Sequence, residues 1–192
     1  MPRVGLTRDT LVSAAADVAD EIGFDRLSLA VLAERFGVRD ASLYTHVKSL
    51  ADLKESVALL AHDEWADTLG RAVAGRSGHT ALRAFADAYR AFATGHPGRY
   101  AATRHPVPPE RLDASTGVTR IIDTCFALLR GYELTGQDAT DAVRLLRSTC
   151  HGFSDLEAGG GGGPPPPPRG GGGGGGGAAP PPRVHRGGVG GP

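Results

Sequence analysis

The chain has 192 residues, with 21 Lys and Arg against 21 Asp and Glu, for a formal net charge of zero. That balance argues against a large nonspecific nucleic-acid binder and leaves room for a small site-specific one. Apolar side chains are confined almost wholly to residues 1–157, enough for a real core, and no run approaches the ~20 apolar residues that span a bilayer, so a soluble, cytoplasmic protein is expected.

In chain order, Thr7 is placed to cap a first helix over RDTLVSAAADVADEIGF. Leu11, Ala15, Val18 and Ile22 recur there at helical spacing until Gly23 stops the run. Ser28 opens a second helix, with Leu29, Leu32, Ala33 and Phe36 as its apolar stripe and Gly37 at its end. A third is expected from near Arg39 to about Val47. Ser49 with Asp52 reads as a capping box with Asp in place of Glu. It opens a fourth helix that carries Leu53, Val57, Leu60 and Trp65 and fades by Gly75. Thr80 is the expected cap of a fifth, with Leu82, Phe85, Ala86, Tyr89 and Phe92 on one side, broken by His96, Pro97 and Gly98. The segment RHPVPPE reads as a loop. A long helix follows through Ile121, Cys125, Leu128 and Tyr132 to Gly136, and Asp138 is the expected cap of the last, ATDAVRLLRSTCHGFSDLEA. No segment alternates as a strand does, so the fold class is all-α.

The stretch FGVRDASLYTHVKSL joins two short helices through a Gly-containing turn, which is a helix-turn-helix. The second helix of such a unit enters the major groove and offers its N-terminal residues to base edges. Leu43 and Val47 fall on one face; Asp40, Ala41, Tyr44, Thr45 and Lys48 fall on the other. Ser28 and the helix N-terminus behind it suit a phosphate, as do Tyr44, His46 and Lys48; Asp40, Ser42 and Thr45 are short polar groups that suit bases. Ala41 keeps the backbone close to the groove, and Arg39 adds positive charge beside it. The same geometry occurs in structural bundles, so the pattern by itself leaves a non-DNA-binding helical interaction protein open.

The stretch GFDRLSLAVLAERFGVRDASLYTHVKSLADL resembles the DNA-binding domain of TetR-family transcriptional regulators, through Ser28, Gly37, Val38, Leu43, Tyr44, His46 and Val47. The resemblance implies that Ser28, Tyr44 and His46 touch the DNA backbone and that Asp40, Ala41, Ser42 and Thr45 face bases. Many members carry a Lys where this chain has Leu50, and Lys48 is the nearest substitute. Residues 50–157 resemble the effector-binding and dimerisation half of one subgroup, through Trp65 and the His151–Gly152 pair. That implies a homodimer in which a small molecule of unknown identity binds within the helices and releases the protein, most often a repressor, from double-stranded operator DNA. Trp65, Phe85, Tyr89, Phe92, Phe126 and His151 are the candidate pocket residues, with a plain core role as the alternative for each.

Enzymatic signatures are missing. No Cys or His pair has metal-ligand spacing, no nucleophile elbow surrounds a Ser, and no cofactor motif occurs, so neither catalytic residues, metal nor cofactor is expected. Cys125 and Cys150 sit in apolar helical patterns and read as reduced core residues. Residues 158–192 form a Gly/Pro-rich tail that cannot repay the entropy of ordering and is expected to be disordered. Of its 35 residues, 32 are Gly, Pro, Ala or Arg, all of which can be written with G and C alone. A reading-frame shift near codon 158 would produce such a tail; a genuine flexible tail is the alternative. Relatives in the subgroup continue instead with a further apolar helix that joins the dimer interface. Its replacement would weaken the dimer and leave a truncated, inactive regulator as the competing reading. The expected organisation is thus a DNA-binding head over 1–49, a helical effector and dimerisation domain over 50–157, and the tail.

Overall fold

The computed structural model describes residues 6–159, and within them the chain forms nine α-helices and two 3-10 turns, with no strand. The tail beyond Gly159 lies outside the described residues, so the frame-shift and disorder readings do too.

Helix α1, Arg8–Ile22, starts at a reciprocal cap. Thr7 Oγ1 accepts from the Thr10 amide at 3.2 Å, while the Thr7 amide donates to Thr10 Oγ1 at 2.9 Å. Gly23, at φ 95°, ends it in a conformation that other residues resist. A 3-10 turn at Phe24–Arg26 leads to α2, Leu29–Phe36, capped by Ser28, whose Oγ accepts from the Val31 amide at 3.3 Å. Gly37 closes α2 in the left-handed region, φ 62°.

Helix α3 is shorter than its sequence suggests. The α-helical stretch is Asp40–Leu43, and the chain then tightens into a turn in which the His46 amide donates to the Leu43 carbonyl at 2.9 Å. The Thr45 hydroxyl donates to the Ser42 carbonyl at 2.7 Å, the kind of local bond by which Ser and Thr compete with helix continuation.

Helix α4, Leu50–Val73, is capped by Ser49, whose Oγ accepts from the Asp52 amide at 3.1 Å. The other arm of the expected box lands one residue earlier: Asp52 Oδ2 accepts from the Lys48 amide at 2.9 Å. Helix α5, Gly78–Gly95, begins after Ser77 and so ahead of Thr80, which lies inside its first turn. Pro97 does end α5, and it also opens α6, Pro97–Ala102, where a missing amide costs nothing. Helix α7, Pro109–Asp113, takes up the last residues of the expected loop. Helix α8 is Thr116–Leu129, with Tyr132 in a 3-10 turn beyond it. Helix α9, Gly136–Ala158, begins after Thr135, which places Asp138 in its first turn where its charge suits the helix N-terminus.

Two apolar clusters result. Leu11, Val18, Leu32, Leu43, Val47, Leu53 and Val57 are buried in the first, with Ala102 of α6. Trp65, Leu69, Phe85, Tyr89, Phe92, Tyr100, Ile121, Cys125, Leu128 and Val143 are buried in the second. Helix α4 runs through both. Gly98 and Gly117 mark the closest helix approaches: a Cβ on Gly98 would strike the backbone of Ala19 and Asp20, and one on Gly117 would sit 2.7 Å from the Asp63 amide nitrogen.

Among the described residues no helix is long and apolar enough to cross a membrane, and no group of three or more His, Cys, Asp or Glu is placed to hold a metal ion. Cys125 and Cys150 are free thiols; Cys125 is buried and Cys150 half-buried. Burial pushes the Cys125 thiol up to about 11.

Candidate nucleic-acid interface and effector cleft

The turn from α2 into α3 presents a continuous polar strip. Leu43 and Val47 are buried beneath it and anchor it to the first cluster. Arg39, Asp40, Ala41, Ser42, Thr45 and Lys48 are exposed above them, and Tyr44 is 56% exposed. Ser28 and His46 are half-buried. Ser28 Oγ already accepts the Val31 amide, which leaves its hydroxyl proton as a donor. The Tyr44 phenol stands in solvent on buried Leu43 and Val47, where its hydroxyl can donate to an external acceptor.

The strip is pinned from below by a network that the sequence reading missed. The Arg8 guanidinium donates to the His46 carbonyl at 2.9 Å, to Asp52 Oδ1 at 2.7 Å and to Ser56 Oγ at 2.8 Å. Arg111 of α7 reaches the same carboxylate at 3.1 Å, Ser56 Oγ at 2.9 Å, and Glu55. The Arg8 hydrogen bond holds the Asp52 carboxyl well below the usual carboxylate range; the Lys48 amide and the Arg8 and Arg111 charges act in the same direction, against burial. A separate knot ties α6 to α1 and α4. Arg99, only 7% exposed, donates to Glu64 and Asp17, each at 2.7 Å, and to Asp20.

A cleft of about 290 Å³ opens between α4, α5, α6 and α9. Buried Trp65 and Tyr89 form its floor, and half-buried His62, Thr103 and His151 its sides. Exposed Arg104, Arg147 and Ser148 form its lip. Trp65 packs edge-on against Tyr89 with centroids 4.7 Å apart. The hydroxyls of Tyr89 and Tyr100 both face His151 Nδ1, Tyr89 at 3.4 Å, while His151 Nε2 lies 3.5 Å from Asp155. Burial pushes both tyrosines up, so they stay protonated, and burial pushes His62 down, so its ring stays neutral near pH 7.

Of the six candidate pocket residues, Trp65, Tyr89 and His151 therefore meet at one cleft. The other three do not. Phe85 is fully buried in the second cluster, Phe92 is a buried core ring stacked on Trp65 with centroids 5.8 Å apart, and Phe126 is exposed on α8. Helical spacing cannot distinguish a core aromatic from a lining one. His62, Arg147 and Ser148 escaped notice, although Arg147 and His151 stand four apart on one helix and so share a face. Thr103 and Arg104 had no readable signal, because they depend on where α6 docks.

Comparisons with known proteins bear on the whole assembly. The family model for a "Tetracyclin repressor-like, C-terminal domain" matches residues 82–170. An uncharacterised helix-turn-helix-type transcriptional regulator of Mycobacterium tuberculosis is 38% identical over 79% of this chain and 70% of its own length. A second, YobS of Bacillus subtilis, is 34% identical over 82% of both chains.

The chain belongs to the TetR family of transcriptional regulators. Its fold agrees: the TetR-family regulator PfmR of Thermus thermophilus superposes with a TM-score of 0.61, at 24% identity, over 79% of this chain and 86% of that one. As a TetR-family member the protein is a DNA-binding transcriptional regulator, and the all-α expectation holds throughout the described residues.

Proposed function

We propose that this TetR-family regulator reads operator DNA with the strip from Arg39 to Lys48, acts as a homodimer, and is released as a repressor when a small molecule fills the cleft. The observation that carries the DNA reading is the edge of exposed Tyr44 and Lys48, with half-buried His46 between them, standing on buried Leu43 and Val47. In this reading Ser28, Tyr44, His46 and Lys48 hold phosphates, while Asp40, Ala41, Ser42 and Thr45 face bases and Arg39 flanks them. Residues 1–49 are the head and 50–157 the body, joined by α4. The operator sits in the cytoplasm, which is the proposed place of action.

The release step has a physical route. Arg99 links α6, which leads into the cleft-lining Thr103 and Arg104, to Asp17 and Asp20 of α1 in the head. A ligand that favours one placement of α6 would bias the spacing of two heads, and DNA would favour the other.

Dimerisation is supported by an apolar face. Leu145, Phe153 and Leu156 of α9 and Phe126 of α8 are large apolar side chains left exposed. The other apolar side of α9 faces its own chain: Val143 is buried, and Leu146 and Cys150 pack against the second cluster, while Phe153 turns outward.

The test is Tyr44→Phe, titrated against the DNA upstream of its own gene at several salt concentrations. The variant is expected to bind about threefold to tenfold more weakly, the value of one hydrogen bond, with an unchanged melting temperature. Affinity should fall steeply with salt for both proteins. Equal affinity of the two proteins would remove Tyr44 from the interface.

A further inference from the structure

We infer that the cleft between α4, α5, α6 and α9 takes a small organic anion, a carboxylate on an apolar or aromatic body. The inference rests on the reading of this cleft as the effector site and adds the chemical class of what fills it.

The charge balance of the wall is the starting point. Two guanidinium groups, Arg104 and Arg147, line the cleft, and no Asp or Glu does. The two differ in their state. Arg104 is neutralised by Asp155, with contacts of 2.9 Å and 2.8 Å, and lies over the Tyr100 ring at 5.3 Å. Arg147 makes no ion pair among the described residues, and the remaining residues of the chain contain no Asp or Glu. Arg147 lines the cleft beside His62, Tyr89 and His151. A planar guanidinium presents a fork of donors that matches a carboxylate.

The neutral groups point the same way. The indole Nε1–H of Trp65 is buried without a hydrogen-bond partner and is shut off from the open cleft, so a ligand meets the indole as an apolar ring. Ser148 adds a hydroxyl donor. The acceptor near the floor, His151 Nδ1, is taken up by the tyrosine hydroxyls. A wall with one cation unbalanced, no carboxylate and its ring acceptor engaged favours a ligand that brings acceptors and negative charge. The Trp65 and Tyr89 rings supply a flat apolar surface for the rest of that ligand. The volume is at the lower end of small-molecule sites, so the body is that of a single substituted ring rather than a polycyclic drug.

Trp65 is the one tryptophan of the chain, so its emission reports directly on the cleft. The probes are 4-isopropylbenzoate and its uncharged isostere 4-isopropylbenzamide, titrated into the full-length protein at pH 7.0, a condition about three units above a carboxylic-acid pKa. The acid is expected to change Trp65 emission saturably and to bind about tenfold or more tightly than the amide. Arg147→Gln should erase that preference by weakening the acid alone, and Arg147→Lys should retain part of it. Arg147 is exposed, so an unchanged melting temperature is expected in both variants. If acid and amide bind equally, or if Arg147→Gln leaves the acid unaffected, the anion class is wrong while the effector site stands. If neither probe alters Trp65 emission at millimolar concentration, the cleft is no small-molecule site, and the effector reading falls together with this one.

Discussion

Asp52 ties α4 to α1, to α7 and to the turn before it. Its carboxylate receives Arg8, Arg111 and the Lys48 amide, and it sits at the start of α4 directly under the exposed strip. Because its folded pKa is depressed below the unfolded value of about 3.9, it contributes stability that is complete above that value and is lost as the pH falls through and below it. Asp52→Asn is expected to lower stability at pH 7 by about 2–3 kcal/mol, the range for a charge-assisted hydrogen-bonded group that is mostly buried. Urea unfolding at pH 7 and at pH 3.5 checks both statements: the variant should lose less on acidification than the wild type, and parallel losses would remove Asp52 as the titrating group. The sequence showed Asp52 as half of a capping box. It did not show Arg8 and Arg111, because their separations of 44 and 59 residues from Asp52 belong to tertiary structure.

At the scale of elements, α6 is a short helix packed against α1 and α4. It is six residues long, too short to persist alone, and it is held by what it touches. Gly98 lets its backbone lie against α1 at Ala19 and Asp20, and Arg99 then reaches Asp17, Asp20 and Glu64. Gly98→Ala places a methyl group in occupied backbone space, where no side-chain rotation relieves it. A loss of about 2–4 kcal/mol is expected, above the common range for overpacking because the obstacle is main chain. Thermal melting read by circular dichroism checks it, with Gly152→Ala as the control, since a Cβ there meets nothing within 4 Å. Equal melting temperatures for the two variants would show that α6 shifts freely. The sequence marked His96, Pro97 and Gly98 as a break and was right about the end of α5. That the same Pro would start another helix was not legible, because only the docking onto α1 makes six residues worth ordering.

At the scale of the whole molecule, the proposed dimer rests on the exposed apolar side chains of α8 and α9. A single head holds its half-site weakly, and linking two raises affinity through effective concentration rather than new contacts. Leu145→Glu combined with Phe153→Glu puts two charges on that face without touching the buried stripe of Val143, Leu146 and Cys150. Sedimentation equilibrium across micromolar concentrations should give a dimer for the wild type and a monomer for the double variant. A wild-type monomer, or a variant that stays dimeric, would move the interface elsewhere. Cooperative operator binding should disappear with the dimer.

The amino-acid sequence by itself determined the parts governed by neighbours along the chain. Thr7, Ser28 and Ser49 cap helices, Gly23 and Gly37 end them, and FGVRDASLYTHVKSL forms the turn from α2 into α3 and the exposed strip after it, because caps, left-handed glycines and helical spacing act within a few residues. Only the tertiary structure decided which aromatic rings line a cleft and which fill a core, which face of α9 turns outward, and which carboxylates surround Arg99. Those outcomes depend on side chains tens of residues apart competing for the same space and the same charges, and helical periodicity carries no record of that competition.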